Sequence, residues 1–187
     1  KRIRNFAQSF DVVSCSFLHR KKQDLTIECI ADPYIASKYF LPIAPSWASW
    51  EPFKTFAIRA NDFAERKIAE GAFYETLYSR AMWAPSMFAA RLFKKRHPSV
   101  HWIAEFSDPM SLDVEGLPRG GSIPDDELTR VFIADLVTKY PELKDVEYSV
   151  FSLAEYLVYA FADEIMFTNS NQKSEMLDRI SSPKLKT

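Results

Sequence analysis

Residues 101–109 read HWIAEFSDP, and the side-chain order in this stretch decides how the rest of the chain is read. Side chains alternate across a strand, so from His101 to Ser107 the residues Trp102, Ala104 and Phe106 line one face and Ile103, Glu105 and Ser107 the other. Such short strands, nearly uninterrupted by charge, are expected where a parallel sheet is covered by helices on both faces. Pro109 then denies Asp108 the helical region and gives the chain an extended exit from the strand.

Upstream of this stretch, Thr76 to Arg80 reads as a short strand. A helix follows near Pro85, with Phe88, Ala89, Leu92 and Phe93 inward and Lys94, Lys95 and Arg96 in its last turn, before Pro98. Downstream, Asp108 to Pro124 holds Gly116, Gly120 and Gly121 with Pro109, Pro118 and Pro124, and is expected to be a long mobile loop. Asp125 and Asp126 open a helix carrying Leu128, Val131, Phe132, Leu136 and Val137. A further helix spans about Ser152 to Ala162, with Ser152 and Glu155 at capping-box spacing. Glu164 to Thr168 is a short apolar strand, and Asn169 and Gln172 can cap the next helix in the same reciprocal way. Strand and helix alternate, which predicts an α/β fold with a mainly parallel sheet and helices on its faces.

Nearer the start, Phe53, Phe56, Ala57, Ala60, Phe63, Ala64 and Ile68 draw one apolar stripe on a helix that ends at Gly71. Asp11 to Phe17 and Leu25 to Ile30 read as strands. Between them and the helix, Pro33, Pro42, Pro45 and Pro52 mark Ala31 to Pro52 as a long loop, in which Trp47 and Trp50 are candidates for an exposed platform able to stack on a sugar ring. Trp102 is assigned to the core.

With 187 residues, 47% hydrophobic and 26% charged, the chain is expected to form one large domain over 1–187. Lys plus Arg number 24 against 25 Asp plus Glu, a net charge of −1, which argues against nucleic-acid binding through a generally basic surface. The apolar run Tyr156 to Ala162 is bounded by Glu155 and Asp163 and falls far short of the roughly 20 residues that span a bilayer. Cys15 and Cys29 belong to no CxxC or Cys/His cluster, which speaks against a zinc site or a disulfide scaffold and fits a reducing cytoplasm. The chain begins at Lys1 without the pattern of a signal peptide, so it is expected to be a trimmed piece of a longer protein.

In an open parallel sheet, ligands bind beyond the carboxyl ends of the strands. That rule selects Ser79 and Arg80 after the first strand, Ser107 and Asp108 after the second, and Thr168, Asn169 and Ser170 after the third. Asp108 can orient, or take a proton from, a substrate hydroxyl; the alternative is an Asx-type turn in which it binds only local backbone. Glu105, a carboxylate in a strand expected to be buried, needs a partner, and Arg80 is the candidate. The pair is either a structural ion pair or a frame from which Arg80 offers its planar fork to a phosphate or a sugar hydroxyl.

Three further features carry less. His19, His97 and His101 sit at element ends and are not expected to be catalytic. The runs Arg20 to Lys22 and Lys94 to Arg96 are read first as solvated faces and second as contacts to anionic lipid. Arg119-Gly120-Gly121 is a weak candidate for a phosphate cradle, because no helix starts directly after it and no GxGxxG or GxxxxGK[ST] is present.

Tyr78-Ser79-Arg80, the helix after it, WIAEFSDP at 102–109 with Asp113 and Glu115-Gly116 beyond, and EYLVYAFADEIMFTNSNQ at 155–172 together resemble the N-terminal domain of bacterial GT-B glycosyltransferases, family 4-like members especially. The likeness covers roughly Phe53 to Arg179. It implies two Rossmann-like, three-layer domains facing a cleft, of which this chain supplies the acceptor-side half while a C-terminal half, absent here, holds the nucleotide-sugar donor. Many relatives carry a histidine where Ser107 and Asp108 stand here, which moves the catalytic role to Asp108. The strand and Gly-rich turn that often precede the helix resembling Arg2 to Ser9 are missing.

The resulting expectation is a cytoplasmic transferase domain of carbohydrate biosynthesis, peripheral at the inner membrane face if the basic runs touch lipid. It would help move a sugar from a nucleotide-sugar donor to a hydroxyl acceptor. Asp108 is the expected catalytic residue, with Ser79, Arg80, Ser107, Asn169 and Ser170 binding substrate. No cofactor beyond the donor co-substrate and no nucleic-acid partner is expected; metal dependence is left open. The alternative is a Rossmann-like domain that binds a small ligand or a partner without catalysis, and a nucleotide-sugar epimerase or dehydrogenase is disfavoured by the missing dinucleotide fingerprint.

Overall fold

The computed structural model describes residues 9–16, 26, 30–43, 46, 48–81, 83–113, 115–180 and 182–185. The chain forms two compact units, 1–46 and 47–187, each α/β with parallel strands.

In the first unit, β1 (Phe10–Cys15) pairs in parallel with β2 (Ile35–Leu41). Ser37 donates its hydroxyl to Asp11 across the pair. Parallel neighbours need a crossover of a dozen or more residues, and 16–34 supplies it, with Thr26, Ile30 and Ala31 helical and a 3-10 turn at Asp32–Tyr34. The expected strand over 25–30 is therefore not observed at Thr26 or Ile30; its other positions lie outside the described residues. The expected loop over 31–52 is corrected as well. Pro33 is the second residue of the 3-10 turn, Pro42 follows the last strand residue, and the proline-free run IASKYFL between them forms β2. Cys15 is a free, buried thiol whose pKa burial pushes up to about 12.

The second unit opens with α1 (Trp50–Ala69), whose Pro52 lies in the first turn, where a backbone N–H has no helical partner to lose. Gly71 ends it at φ +101°: its N–H donates to Ile68 O at 2.9 Å, and Ala72 N–H donates to Lys67 O at 2.8 Å. This is a Schellman stop that only a left-handed residue completes. Trp50 is not an exposed platform. It is 5% exposed and packs edge-on against Phe88 at 5.2 Å, because helix formation from Ser49 onward turns it inward. Trp47 lies outside the described residues.

β3 (Thr76–Arg80), β4 (His101–Phe106) and β5 (Glu164–Phe167) make a parallel sheet in that order, in register Arg80↔Glu105 and Phe106↔Phe167. Every residue of β4 from Trp102 to Phe106 is buried, so the central strand is covered on both faces as its composition demands. α2 (Pro85–Arg96) follows β3 and packs on α1 and α4 (Val150–Phe161). α3 (Glu127–Lys139) lies against α4, and α5 (Ser170–Asp178) follows β5. The core is aromatic: Phe88 stacks on Phe132 at 5.7 Å, and Phe53 meets Trp83 and Phe151 edge-on. Asn61 ties α1 to α2, donating from Nδ2 to Ala57 O at 2.8 Å and to Ala89 O at 3.0 Å.

One helix start agrees with expectation and one differs. α3 begins with a reciprocal cap in which Leu128 N–H donates to Asp126 Oδ1 and Asp126 N–H donates to Thr129 Oγ1. The box at the head of α4 is Ser149 with Ser152, not Ser152 with Glu155: Ser152 N–H donates to Ser149 Oγ at 3.1 Å, and Ser149 N–H donates to Ser152 Oγ at 2.8 Å. The cap therefore lies three residues earlier, the helix begins at Val150, and Glu155 is released for another task.

Candidate functional site at the carboxyl edge of the sheet

Because β3, β4 and β5 run in parallel and in sequential order, their carboxyl ends share one edge of the second unit. Arg80 leaves β3, Ser107 and Asp108 leave β4, and Thr168, Asn169 and Ser170 leave β5. Two strand spacings of roughly 4.8 Å each separate the outer strands. The sequential order has no reversal, so this site is a rim along three strand ends and not the crevice of a topological switch point.

At β3, Ser79 is 5% exposed and turned inward. Trp102 Nε1 donates to its hydroxyl at 2.9 Å, and that hydroxyl meets Met87 Sδ at 3.0 Å. Arg80 faces outward, its side chain 56% exposed, with Nε 3.7 Å from Oε1 of the buried Glu105. The expected ion pair between these two residues is present. It engages the Nε side of the guanidinium. Ser86 Oγ donates to Arg80 O at 2.6 Å, fixing the turn into α2.

At β4, Ser107 Oγ is buried and has no hydrogen-bond partner among the described residues. Its carbonyl, and that of Phe106, accept from Thr168 Oγ1 at 3.0 and 3.3 Å. Asp108 is exposed and makes no hydrogen bond or ion pair among the described residues. The Asx-type turn lies further on, where Asp113 Oδ1 accepts from Glu115 N–H and Leu117 N–H, each at 2.9 Å.

At β5, Asn169 caps α5 by accepting from Gln172 N–H at 2.9 Å. The reciprocal half reaches one residue earlier than expected: Thr168 N–H donates to Gln172 Oε1 at 2.7 Å, while Gln172 Nε2 donates to Phe106 O at 3.3 Å. Thr168 and Gln172 thus bind the end of β5 to the end of β4. Asn169 and Ser170 remain exposed on the rim. A guanidinium, a carboxylate and a carboxamide consequently follow one another along the edge, a set that can bind an anion and orient a hydroxyl.

The segment after Asp108 is not an unstructured loop. Arg119 N–H donates to Ser111 O, Asp113 N–H donates to Leu117 O, and Leu112 bridges Pro118, so 111–113 and 117–119 pair as the arms of a small antiparallel hairpin, with Gly116 at φ +78°. Its root is held by Glu155 of α4. Oε1 accepts Met110 N–H at 2.7 Å and Ser111 N–H at 2.9 Å, and Oε2 accepts the Ser111 hydroxyl at 2.7 Å. Desolvation raises the Glu155 pKa above its ordinary 4.5, and the Ser111 and Met110 donors with the Arg179 charge oppose that rise without cancelling it. At the hairpin tip, Arg179 Nη1 donates to Gly116 O at 3.4 Å. The sequence reads Glu155 and Gln172 only as helix-capping residues; the signal for the further role of Glu155 is that it is the one carboxylate in the otherwise largely apolar helix α4.

A separate cavity of about 250 Å³ lies where the chain enters α3, lined by Ile123, Pro124, Arg130, Ile133, Val146 and Tyr148 among others, and by none of the rim residues. Lys94 is withdrawn from solvent: it donates to Pro98 O, Val100 O and Asp163 Oδ2, while Lys95 pairs with Asp135 and Arg96 with Glu65. His97 and His101 face Glu65 and Glu164. His19, Arg20 to Lys22 and Cys29 lie outside the described residues. Among the described residues, no group of three or more His, Cys, Asp and Glu could hold a metal ion, and no helix is long and apolar enough to cross a membrane. No protein-family model, no curated protein and no solved structure matches the chain.

Proposed function

We propose that the chain is the acceptor-side, Rossmann-like three-layer half of a GT-B glycosyltransferase, moving a sugar from a nucleotide-sugar donor to a hydroxyl acceptor. The observation that carries this reading is the shared edge: Arg80, Asp108 and Asn169 leave three neighbouring parallel strands on the same side. Asp108, exposed and without a partner among the described residues, orients the acceptor hydroxyl and takes its proton. Arg80 uses the guanidinium edge turned away from Glu105 to bind phosphate or sugar oxygens. Asn169 and Ser170 complete the ligand contacts at the head of α5. The donor is held by a second domain outside this sequence, and the protein works in the cytoplasm or against the inner membrane face.

A non-catalytic small-ligand domain is the second reading, favoured by the number of polar groups at these strand ends already spent on internal bonds: the Ser79 and Thr168 hydroxyls and the Asn169 side-chain oxygen. The deciding experiment screens the full-length protein against a panel of nucleotide sugars for hydrolysis or transfer, alongside Asp108→Asn and Arg80→Ala. Turnover that falls in both variants supports the transferase. Turnover unchanged in both removes the site, and ligand binding without turnover favours the second reading.

A further inference from the structure

We propose that Glu155 is the positioning residue for Asp108, holding the segment that carries it against the sheet edge; this rests on the reading of Asp108 as the group that meets substrate. Asp108 is exposed and has no hydrogen bond or ion pair among the described residues to fix it. Its placement comes from its neighbours on either side.

On the strand side, Phe106 O and Ser107 O are held by Thr168 and Gln172. On the hairpin side, Pro109 has a fixed φ, and the next two backbone N–H groups, of Met110 and Ser111, both donate to one carboxylate oxygen of Glu155. The second oxygen takes the Ser111 hydroxyl. Met110 is 4% exposed and Glu155 7%, so the bond between them is shielded from water, and the two Ser111 bonds are shielded in part. The grip begins two residues from Asp108 and comes from a helix 44 or more residues away. A carboxylate is suited to it because both oxygens accept, and three donors converge on them.

The test uses the full chain as Glu155→Ala and Glu155→Gln, reading hydrogen exchange at the Met110 and Ser111 amides and along β4, and the Asp108 carboxyl resonance through a pH titration. Glu155→Ala is expected to speed exchange at 110 and 111 by about tenfold or more, to leave Ile103 and Ala104 protected, and to shift or split the Asp108 resonance. Glu155→Gln keeps one acceptor oxygen for the two N–H groups and an amide that can donate to the Ser111 hydroxyl, and is expected to restore both readouts. An Asp108 resonance that stays unchanged while the amides are released overturns the proposal, as does equal loss of protection throughout β4.

Should Glu155→Ala fail to fold, Ser111→Ala removes one of the three bonds and is expected to move both readouts in the same direction by less; no movement overturns the proposal. A full-length protein that turns over no nucleotide sugar removes the transferase reading, while the exchange and resonance results still decide the positioning.

Discussion

The indole N–H of Trp102 donates to the hydroxyl of Ser79 at 2.9 Å, with Trp102 fully buried and Ser79 5% exposed. The two residues sit on adjacent strands, so the bond crosses the β3–β4 ladder inside the core. It gives Ser79 a partner at the strand end where a ligand contact was expected. Buried indole N–H groups need an acceptor, and no water reaches this one to replace it.

Ser79→Ala is therefore expected to destabilise the protein by about 1–3 kcal/mol, the cost of an orphaned buried donor. Urea unfolding measures it. Ligand binding at the rim should be retained once the folded fraction is corrected for; loss of binding at full folding would return Ser79 to the site.

Glycine at position 121 is a second structural requirement. Its φ is +136°, and a Cβ there would stand 2.8 Å from Cγ2 of Val150, a fully buried β-branched residue at the head of α4. Its carbonyl also accepts Val150 N–H at 2.9 Å, so the segment cannot retreat without breaking that bond. Gly121→Ala is expected to cost about 1–3 kcal/mol by thermal or urea unfolding. Adding Val150→Ala relieves the clash but not the backbone strain, and should therefore recover none of the φ penalty.

The elements legible in the sequence were those whose signals are local. β3, α2, β4 and β5 were read within a residue or two, because periodicity and the punctuation of Pro85, Pro98 and Pro109 agree there. Local signals failed where a distant partner decides. Four prolines between 31 and 52 suggested a loop, yet none falls within 35–41, and pairing with β1 makes that run a strand. Glu155 fits a capping-box spacing and a buried anchor equally well on paper. The choice is made by Ser149, which starts the helix earlier, and by Ser111, 44 residues away. The rim residues could be picked because strand ends follow from strand assignment; which of them turn inward, as Ser79 does, depends on Trp102 and could not.

The pH dependence of stability should carry two contributions of opposite sign. Below pH 4.5 Glu155 is protonated in both states and behaves as a glutamine. As pH rises past 4.5 the unfolded carboxyl ionises while the folded one, held higher by desolvation, keeps its proton, so stability falls until the folded group titrates. Glu155→Gln is expected to gain stability relative to the parent across that window. Asp163 works the other way: partial desolvation opposes ionisation, but the Lys94 and Trp102 hydrogen bonds hold its carboxyl below 3.8. Its contribution is present above pH 3.8 and is lost as pH falls through the lowered folded value. Asp163→Asn should flatten that acid limb. Parallel stability–pH curves for the parent and Glu155→Gln would contradict the first expectation.

Arg91 shows how the helical layer is tied together, and its partners can be separated by mutation. The residue is 6% exposed; its Nη2 donates to Asp135 Oδ2 at 2.6 Å, and its guanidinium lies 3.8 Å from the centroid of the Phe161 ring. Burial pulls its pKa below the ordinary value, and the Asp135 charge and hydrogen bond oppose that pull. Asp135→Ala removes the carboxylate and leaves a guanidinium desolvated, at an expected cost of about 3–5 kcal/mol in urea unfolding. Arg91→Met keeps an apolar stem against Phe161 and leaves Asp135 with Lys95, its remaining partner at 2.7 Å, so it should cost less. Combining the two substitutions should recover most of the Asp135→Ala loss, because the stranded charge is gone. Additive losses in the double variant would instead locate the energy in packing around each side chain and not in the pair.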